Sequence, residues 1–539
     1  MIKLGRYILK FLDKSKKLFV VSIFLSIINT GISAIIPYYI GIFIDSLISP
    51  VDMNSILRFI VFIFILNAFC IILNYVIKII NMKVICNLEF NILRANINHI
   101  QKIPMDNFFT NFNASQLTQR ITADTKTIVS FYFNYIIQFF VNIIYFIFLI
   151  IAMQKISTKI VFIALLFIPI YILCFFLSKK KLFNSNLQVK EINTVFYKKL
   201  FEQLKYIKNI KTDVLFDISN NTMKDSFDDV FSANLRNTKL NQNISLISSM
   251  LSVFALSSML IVSAYQTLNG VMSIGGLTTT NSYFGQLFNV ISFYFSFAQV
   301  SQNANASLQR LNELSKIKNE NNGNVVLNAI DEIALYNVKF GYGESDVGLN
   351  LTNEVKKFKK GSIYQFIGRN GSGKSTCINI ILGIYQKLNK GTVSFNGIDL
   401  KEIDLYTMRK NKISVLQQDE YFPDLTVAMY LSNILNITDI DLKQRIKDSM
   451  LYGFFQNEDE LDSFMQKKCN CMSGGQKQLA GLLKTFLKNA DVYILDEPDT
   501  ALDVFHIQKL KNCLIKLSQH SIIIIISHSN EFTDNLIYF

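Results

Sequence analysis

Long apolar runs separated by polar connections dominate the first three hundred residues. Six runs stand out, at roughly 18–44, 56–80, 129–153, 157–178, 243–266 and 277–300. Each has 22 residues or more, enough to cross about 30 Å of hydrocarbon at about 1.5 Å per residue. Arg58, Lys78 and Lys159 stand near run ends, where a long side chain can reach the interface. The pattern predicts six membrane-spanning helices. A polar stretch at 318–324, Lys-Asn-Glu-Asn-Asn-Gly-Asn, reads as a linker. Beyond it, strand-like and helix-like segments alternate, as in an α/β domain. The expected organisation is a helical membrane domain over 1–312, a linker over 313–330 and an α/β domain over 331–539.

Composition sharpens this division. Of 539 residues, 50% are hydrophobic and 17% charged, and the formal net charge is +14. That excludes disorder and leaves two explanations of the basic balance, a nucleic-acid binder or a membrane protein with basic cytosolic loops. Residues 1–312 hold 28 Lys and Arg against 13 Asp and Glu, a net +15, while residues 313–539 are close to neutral with 26 against 27. The excess therefore belongs to the membrane half, and no nucleic-acid partner is expected. Segments 1–17, 81–128 and 179–242 carry 6, 5 and 12 basic residues, whereas 45–55 and 267–276 carry none. By the positive-inside rule the N-terminus, both long loops and the α/β domain face the cytosol. The seven cysteines show no disulfide-framework spacing, and the close pair Cys469 and Cys471 reads as incidental reduced thiols. Heavy use of Ile, Asn, Lys and Phe hints at an AT-rich bacterial genome and hence a bacterial inner or plasma membrane.

Polar positions within the membrane half are few. Leu117, Arg120, Ile121 and Asp124 have helical spacing in the first long loop. No acidic residue lies between Asp229 and Glu313 or deep in a span, which disfavours ion-coupled transport. Ser245, Ser248, Ser249 and Ser252 share a helical face suited to close packing. Tyr283, Gln286, Asn289, Phe293 and Tyr294 in the sixth run suit a cavity wall and a helix interface equally well.

The α/β half carries the chemistry. Residues 363–376 read Ile-Tyr-Gln-Phe-Ile-Gly-Arg-Asn-Gly-Ser-Gly-Lys-Ser-Thr, an apolar strand followed by G-x-x-x-x-G-K-S from Gly368 to Ser375 and a helix start. This is a phosphate-binding loop in its full context. Gly368, Arg369, Asn370, Gly371, Ser372, Gly373 and Thr376 would cradle ATP with backbone N–H groups at a helix N-terminus. Lys374 would reach the β- and γ-phosphates, and Ser375 would ligate Mg²⁺. At 492–497, Val-Tyr-Ile-Leu-Asp-Glu is a buried strand with two carboxylates at its end. Asp496 is placed to hold Mg²⁺ and Glu497 to polarise the attacking water.

Further motifs carry a resemblance. Ser473-Gly-Gly-Gln precedes those carboxylates, Ala501-Leu-Asp503 follows them, and a five-Ile strand ends in Ser527-His528. Gln418 follows the strand Ile413-Ser-Val-Leu, and Phe340-Gly-Tyr342 lies about 30 residues before the phosphate loop. This ordered set resembles the nucleotide-binding domain of an ATP-binding cassette (ABC) transporter over essentially all of 331–539. The membrane half then resembles the six-helix domain of ABC exporters, with 104–128 matching the first cytosolic loop and Gln309-Arg310-Leu311 the exit from the sixth span. The resemblance implies an all-α six-helix transmembrane domain followed by an α/β P-loop nucleotide-binding domain. It also implies roles for matching positions. Tyr342 would stack on adenine, and Gln418, rather than Gln417, would contact Mg²⁺ and the coupling loops. Ser473, Gly474, Gly475 and Gln476 would close over ATP held by a second subunit. Asp503 would communicate across the dimer seam, and His528 would hold the γ-phosphate and the water. Departures are Met472 in place of the family's usual Leu, Phe464-Met-Gln-Lys-Lys-Cys-Asn where many exporters carry a Gly-Glu-rich segment, and few residues after His528.

One phosphate loop and one Ser-Gly-Gly-Gln per chain require two chains, a homodimer or a pair with a related half-transporter. The expected activity is ATP-driven export from the cytosol across the lipid bilayer by alternating access. Spans lacking acids but offering amide and aromatic groups suit a peptide-like or hydrophobic substrate. The chain starts just before its first span, so it is not expected to cut leader sequences. A lipid flippase or multidrug exporter is the alternative, and a regulatory ATP-dependent membrane motor without cargo is the alternative from another class.

Overall fold

The structure is a computed structural model and describes residues 2–12, 15–48, 53–105, 117–118, 120–342, 348–369, 371–499, 504–527, 532–533 and 535–539. Backbone packing divides the chain into two units, one of the described residues within 1–101 and 113–317, the other of those within 102–112 and 318–539.

The first unit is helical. Its main elements are α1 (Ile2–Leu9), α2 (Lys16–Ile48), α3 (Met53–Ile100), α4 (Arg120–Ile156), α5 (Thr158–Lys205), α6 (Phe216–Leu268) and α7 (Ile274–Lys316). Apolar windows in α2, α3, α4, α6 and the Thr158–Ser178 part of α5 are long and apolar enough to cross a membrane, yet only 11–24% of each window is buried. Apolar side chains that the unit leaves uncovered need lipid as solvent. The sixth expected run lies within α7 but is not one of those five, because Thr278, Thr279, Thr280, Asn281, Gln286 and Asn289 dilute its apolar character. In their described residues the two long polar connections are largely helix. α3 runs on to Ile100, α5 to Lys205, and α6 starts at Phe216. At 48 residues, α5 is about 72 Å long, more than twice a hydrocarbon core.

Small residues bring α2 and α7 together. A Cβ on Gly275 would lie 2.0 Å from the Gly41 carbonyl oxygen, so the two backbones meet only because both positions are glycine. Asp45 accepts from the Gly275 N–H and the Ser273 hydroxyl, each at 2.7 Å, and so fixes the start of α7. Aromatic and amide groups of the sixth run bond to both α2 and α4. Tyr283 donates to the Ala34 carbonyl at 3.0 Å, Tyr294 to the Phe139 carbonyl at 3.1 Å, and Gln286 accepts from Tyr145 at 2.6 Å. Of the serine face, the Ser252 hydroxyl bonds to the Tyr171 hydroxyl, which donates to the Ser248 backbone carbonyl, while Ser245 and Ser249 are exposed.

The second unit is built on two sheets. A mainly antiparallel one runs β2 (Gly348–Asn350), β1 (Glu332–Gly341), β5 (Lys390–Phe395), β6 (Ile398–Asp399), with β3 (Val355–Lys359) also paired to β1. A parallel one runs β10 (Leu536–Tyr538), β4 (Ile363–Ile367), β9 (Ile522–Ile526), β8 (Val492–Asp496), β7 (Ile413–Leu416). The central strand β9 is five isoleucines, all buried, as expected where both faces of a parallel sheet are covered. Ile522, Ile524 and Ile526 pack with the antiparallel sheet, including Ile333 and Phe395. Ile523 and Ile525 pack on the other side with Leu431, Leu442, Leu461 and Leu483 from the helices. The stretch read as a linker is strapped onto this unit. Glu320 pairs with Arg409 through three N–H···O contacts of 3.1–3.2 Å, and Gly323 and Val325 donate to the Ile403 and Glu402 carbonyls, each at 2.9 Å.

Candidate functional site

The loop after β4 is shaped by glycines. Gly371 and Gly373 take φ of 82° and 102°, a region that a side chain disfavours. A Cβ on Gly368 would lie 2.6 Å from the Ser372 hydroxyl and 2.8 Å from the Phe539 carbonyl. The loop ends at the N-terminus of α8 (Lys374–Ile381). The Lys374 ammonium folds back into it and donates to the carbonyls of Gly368 at 2.6 Å and Arg369 at 3.1 Å. Among the described residues, the Ser372 hydroxyl is buried without a hydrogen-bond partner. A buried hydroxyl in that state is costly, and a phosphate oxygen in the loop would satisfy it. Ser375 is exposed, whereas Thr376 is buried and lies 2.8 Å from the Tyr342 hydroxyl. The Tyr342 ring stands edge-on to Tyr385, 5.9 Å between centroids. Asn370 lies outside the described residues.

The carboxylates converge on the same sheet end. Asp496 closes β8, and burial, followed by the Glu497 charge, pushes its carboxyl up to about 6 against an opposing pull from Lys374. Glu497 has φ 49°, an unusual backbone for a residue with a side chain and one retained where function constrains it. Its N–H donates to the Ile526 carbonyl at 2.8 Å, tying the turn to β9. The Gln418 amide donates to the Glu497 carboxylate at 2.9 Å, which brings together two residues 79 positions apart and leaves the amide oxygen of Gln418 available to a cation. Gln417 instead turns its backbone N–H to Glu420 at 3.4 Å. The Ser375 hydroxyl, the Asp496 carboxylate and the Gln418 amide oxygen are donors of the kind that suits Mg²⁺. A carboxyl whose ionised form is disfavoured is also one that a cation would restore.

The Ser-Gly-Gly-Gln turn starts α9 (Gly474–Leu487). Ser473 accepts from the Gln476 N–H at 3.4 Å, and the Gln476 side chain accepts from the Ser473 N–H at 3.2 Å and from Lys467 at 2.7 Å. This reciprocal capping box fixes the turn and leaves Ser473, Gly474 and Gly475 exposed. Among the described residues no hydrogen bond joins them to loop 368–376. Asp503 and His528 lie outside the described residues.

Three supporting contacts have no sequence signature. Gln478 donates to the Pro498 carbonyl at 3.1 Å, Ser527 to Asp499 at 2.7 Å, and Lys484 to Glu420 at 2.5 Å. All join residues 18 or more apart, and only folding reveals them.

Similarity to known proteins agrees with this geometry. Residues 19–291 match the family profile for the ABC transporter transmembrane region, and residues 351–500 that for the ABC transporter. The transport/processing ATP-binding protein ComA of Streptococcus pneumoniae (strain ATCC BAA-255 / R6) is 24% identical over 524 residues, 93% of this chain and 70% of that protein. The lactococcin-G-processing and transport ATP-binding protein LagD of Lactococcus lactis subsp. lactis is 26% identical over 392 residues, 69% of this chain and 53% of that protein. A solved bacterial Atm1-family ABC exporter with ATP bound superposes with a TM-score of 0.84 at 15% identity, covering 97% of this chain and 93% of that one. The chain therefore belongs to the ABC transporter family, as an exporter in which a membrane-integral domain and the ATPase that drives transport share one polypeptide.

Proposed function

We propose that two copies of this chain form an ATP-driven exporter of a peptide-like substrate, with the nucleotide units in the cytosol of a bacterial cell. The observation that carries the two-copy reading is the split site. Lys374, Gln418, Asp496 and Glu497 gather at one sheet end, while the capped Ser473 turn is exposed and unbonded to the phosphate loop. A Ser-Gly-Gly turn at a helix start is an anion site in waiting, and a second copy would supply it.

On this reading Lys374 leaves the loop carbonyls for the β- and γ-phosphates, and Ser372 donates to a phosphate oxygen. Ser375, Asp496 and Gln418 would hold Mg²⁺, which supplies charge neutralisation at the phosphates. Glu497, steered by the Gln418 amide, orients and polarises the water. His528 donates toward the γ-phosphate, Tyr342 stacks on the base, and Asp503 reports on the opposite site. Phosphoryl transfer asks mainly for positioning and electrostatics, and these groups provide both. ATP closes the nucleotide units on one another and hydrolysis reopens them.

The peptide-like class is supported by spans free of deep acids and by similarity to a protein named for lactococcin-G transport. An apolar cavity of about 440 Å³ lined by Phe146, Ile168, Tyr171 and Tyr294 favours lipids or drugs as a second reading. Reconstitution in lipid, with peptides, lipids and drugs screened for stimulation of ATP hydrolysis, separates the two. A response to peptides alone is expected. Stimulation only by lipids or drugs would overturn the peptide-like assignment.

A further inference from the structure

A second polar site lies in the helical unit, away from the apolar spans. It is a cavity of about 370 Å³ between α4, α5 and α7, and Arg120, Asp124, Lys190, Asn193, Tyr197 and Arg310 contribute to its wall. Lys190 is twelve residues past Ser178, where the apolar part of α5 ends, or about 18 Å along the helix. The volume falls in the range of small-molecule pockets, about 300–1,000 Å³.

The wall has unmet hydrogen-bonding capacity of both signs. One oxygen of Asp124 takes the Arg310 guanidinium and, at 2.8 Å, the Ser307 hydroxyl. Among the described residues, its other oxygen is buried without a donor and the Nε–H of Arg310 is buried without an acceptor. The Lys190 ammonium has no acceptor among the described residues, and burial, then the Arg310 charge, holds its pKa below the usual lysine value despite Asp124. Asp124 itself ends a π-turn, Arg120–Asp124, a rare helix form that is frequent at functional sites. Buried groups left in this state are rare and ask for a partner.

We propose that this cavity is a subsite for the carboxylate end of a peptide-like substrate. The carboxylate would accept from Lys190 and the Arg310 Nε–H, and the terminal residue's own amide N–H would donate to the free oxygen of Asp124. An anion with no N–H or O–H answers only the first two demands, and phosphate, which keeps an O–H, is therefore tested directly as a competitor. This assignment rests on the peptide-like reading and adds the end of the chain that is recognised.

The test uses the full-length protein in lipid nanodiscs and an N-acetylated apolar tripeptide as its free acid and as its C-terminal amide, with inorganic phosphate as competitor. The acid is expected to bind at least about tenfold more tightly than the amide, as charge-assisted pairs are the strong ones. Lys190→Gln should erase that preference and Lys190→Arg keep it. Equal binding of acid and amide, or a preference that survives Lys190→Gln, would overturn the subsite while leaving peptide export standing. Phosphate competing as well as the acid would overturn the assignment to a peptide end. If neither peptide binds and lipids or drugs alone stimulate hydrolysis, the peptide-like reading falls and the subsite with it.

Discussion

The nucleotide unit and the helical unit organise polar groups in opposite ways. In the former, loops after β4, β7 and β8 deliver Lys374, Gln418, Asp496 and Glu497 to one sheet end, with strained backbone at Glu497 and like charges side by side. In the latter, polar side chains within the spans bond to a neighbouring helix, as Tyr283 does to Ala34 and Tyr145 to Gln286, or back to a carbonyl of their own helix, as Ser26 does to Ser22. A reaction site holds its groups in costly arrangements because a ligand will later relieve them. A bilayer span has little such freedom, since an unmet polar group in hydrocarbon costs several kcal/mol. Among the described residues, unmet atoms in the helical unit are found at Asn29, within the first run, at Ser157 and Gln266, at run ends, and at Asp124 and Arg310, beyond the apolar segments.

The contrast can be broken most forcefully at Glu497. Glu497→Gln should keep ATP binding and lower turnover by about 10²–10⁴-fold, the usual worth of a general base, read by nucleotide trapping beside a hydrolysis assay. Undiminished hydrolysis would remove Glu497 from the reaction. Lys374→Ala and Ser473→Arg should each be inactive alone, yet mixing the two variants should restore hydrolysis, because one site of each mixed pair is intact. No recovery from verified mixed pairs would contradict the split site. On the structural side, Ile524→Ala in β9 should cost about 2–5 kcal/mol in denaturant unfolding of the nucleotide unit.

Smaller effects probe the helical unit and the pH response. Arg310→Ala strands a buried Asp124 carboxylate. Breaking a buried pair costs about 3–5 kcal/mol, and with the Arg310 side chain 36% exposed solvent screening lowers the expectation to about 1–3 kcal/mol, read by thermal unfolding in lipid. The smallest effect concerns Asp496, whose carboxyl is raised from 3.8 to about 6 in the folded unit. The folded state then holds its proton more tightly than the unfolded one. Its contribution to stability is complete below about pH 4 and is lost as pH climbs to about 6. Asp496→Asn should flatten that slope in pH-dependent unfolding without Mg²⁺, and an unchanged slope would point to another group.

Legibility in the sequence followed the same division. The phosphate loop was readable because Gly371 and Gly373 need left-handed backbone and Lys374 must follow at a fixed offset. β9 was readable because five consecutive isoleucines suit only a strand covered on both faces. The anchoring of the stretch read as a linker was not legible, since Glu320 and Gly323 are held by Arg409 and Ile403, 80 to 89 residues on. The sixth run was harder still. Its polar residues lower its apolarity, and whether they line a cavity or bond to α2 and α4 depends on helix rotation, which spacing alone leaves open. Asp124 stood out by spacing, but its partner Arg310 is 186 residues away.

The central claim is that ATP hydrolysis by this chain moves a peptide-like cargo out of the cytosol. Its most direct test is the accumulation of a labelled hydrophobic peptide pool inside inverted membrane vesicles, recovered and identified by mass spectrometry. The account predicts ATP-dependent accumulation with the native chain and none with Glu497→Gln. Equal accumulation in both, or ATP hydrolysis by the native chain with neither peptide, lipid nor drug moved, would contradict it.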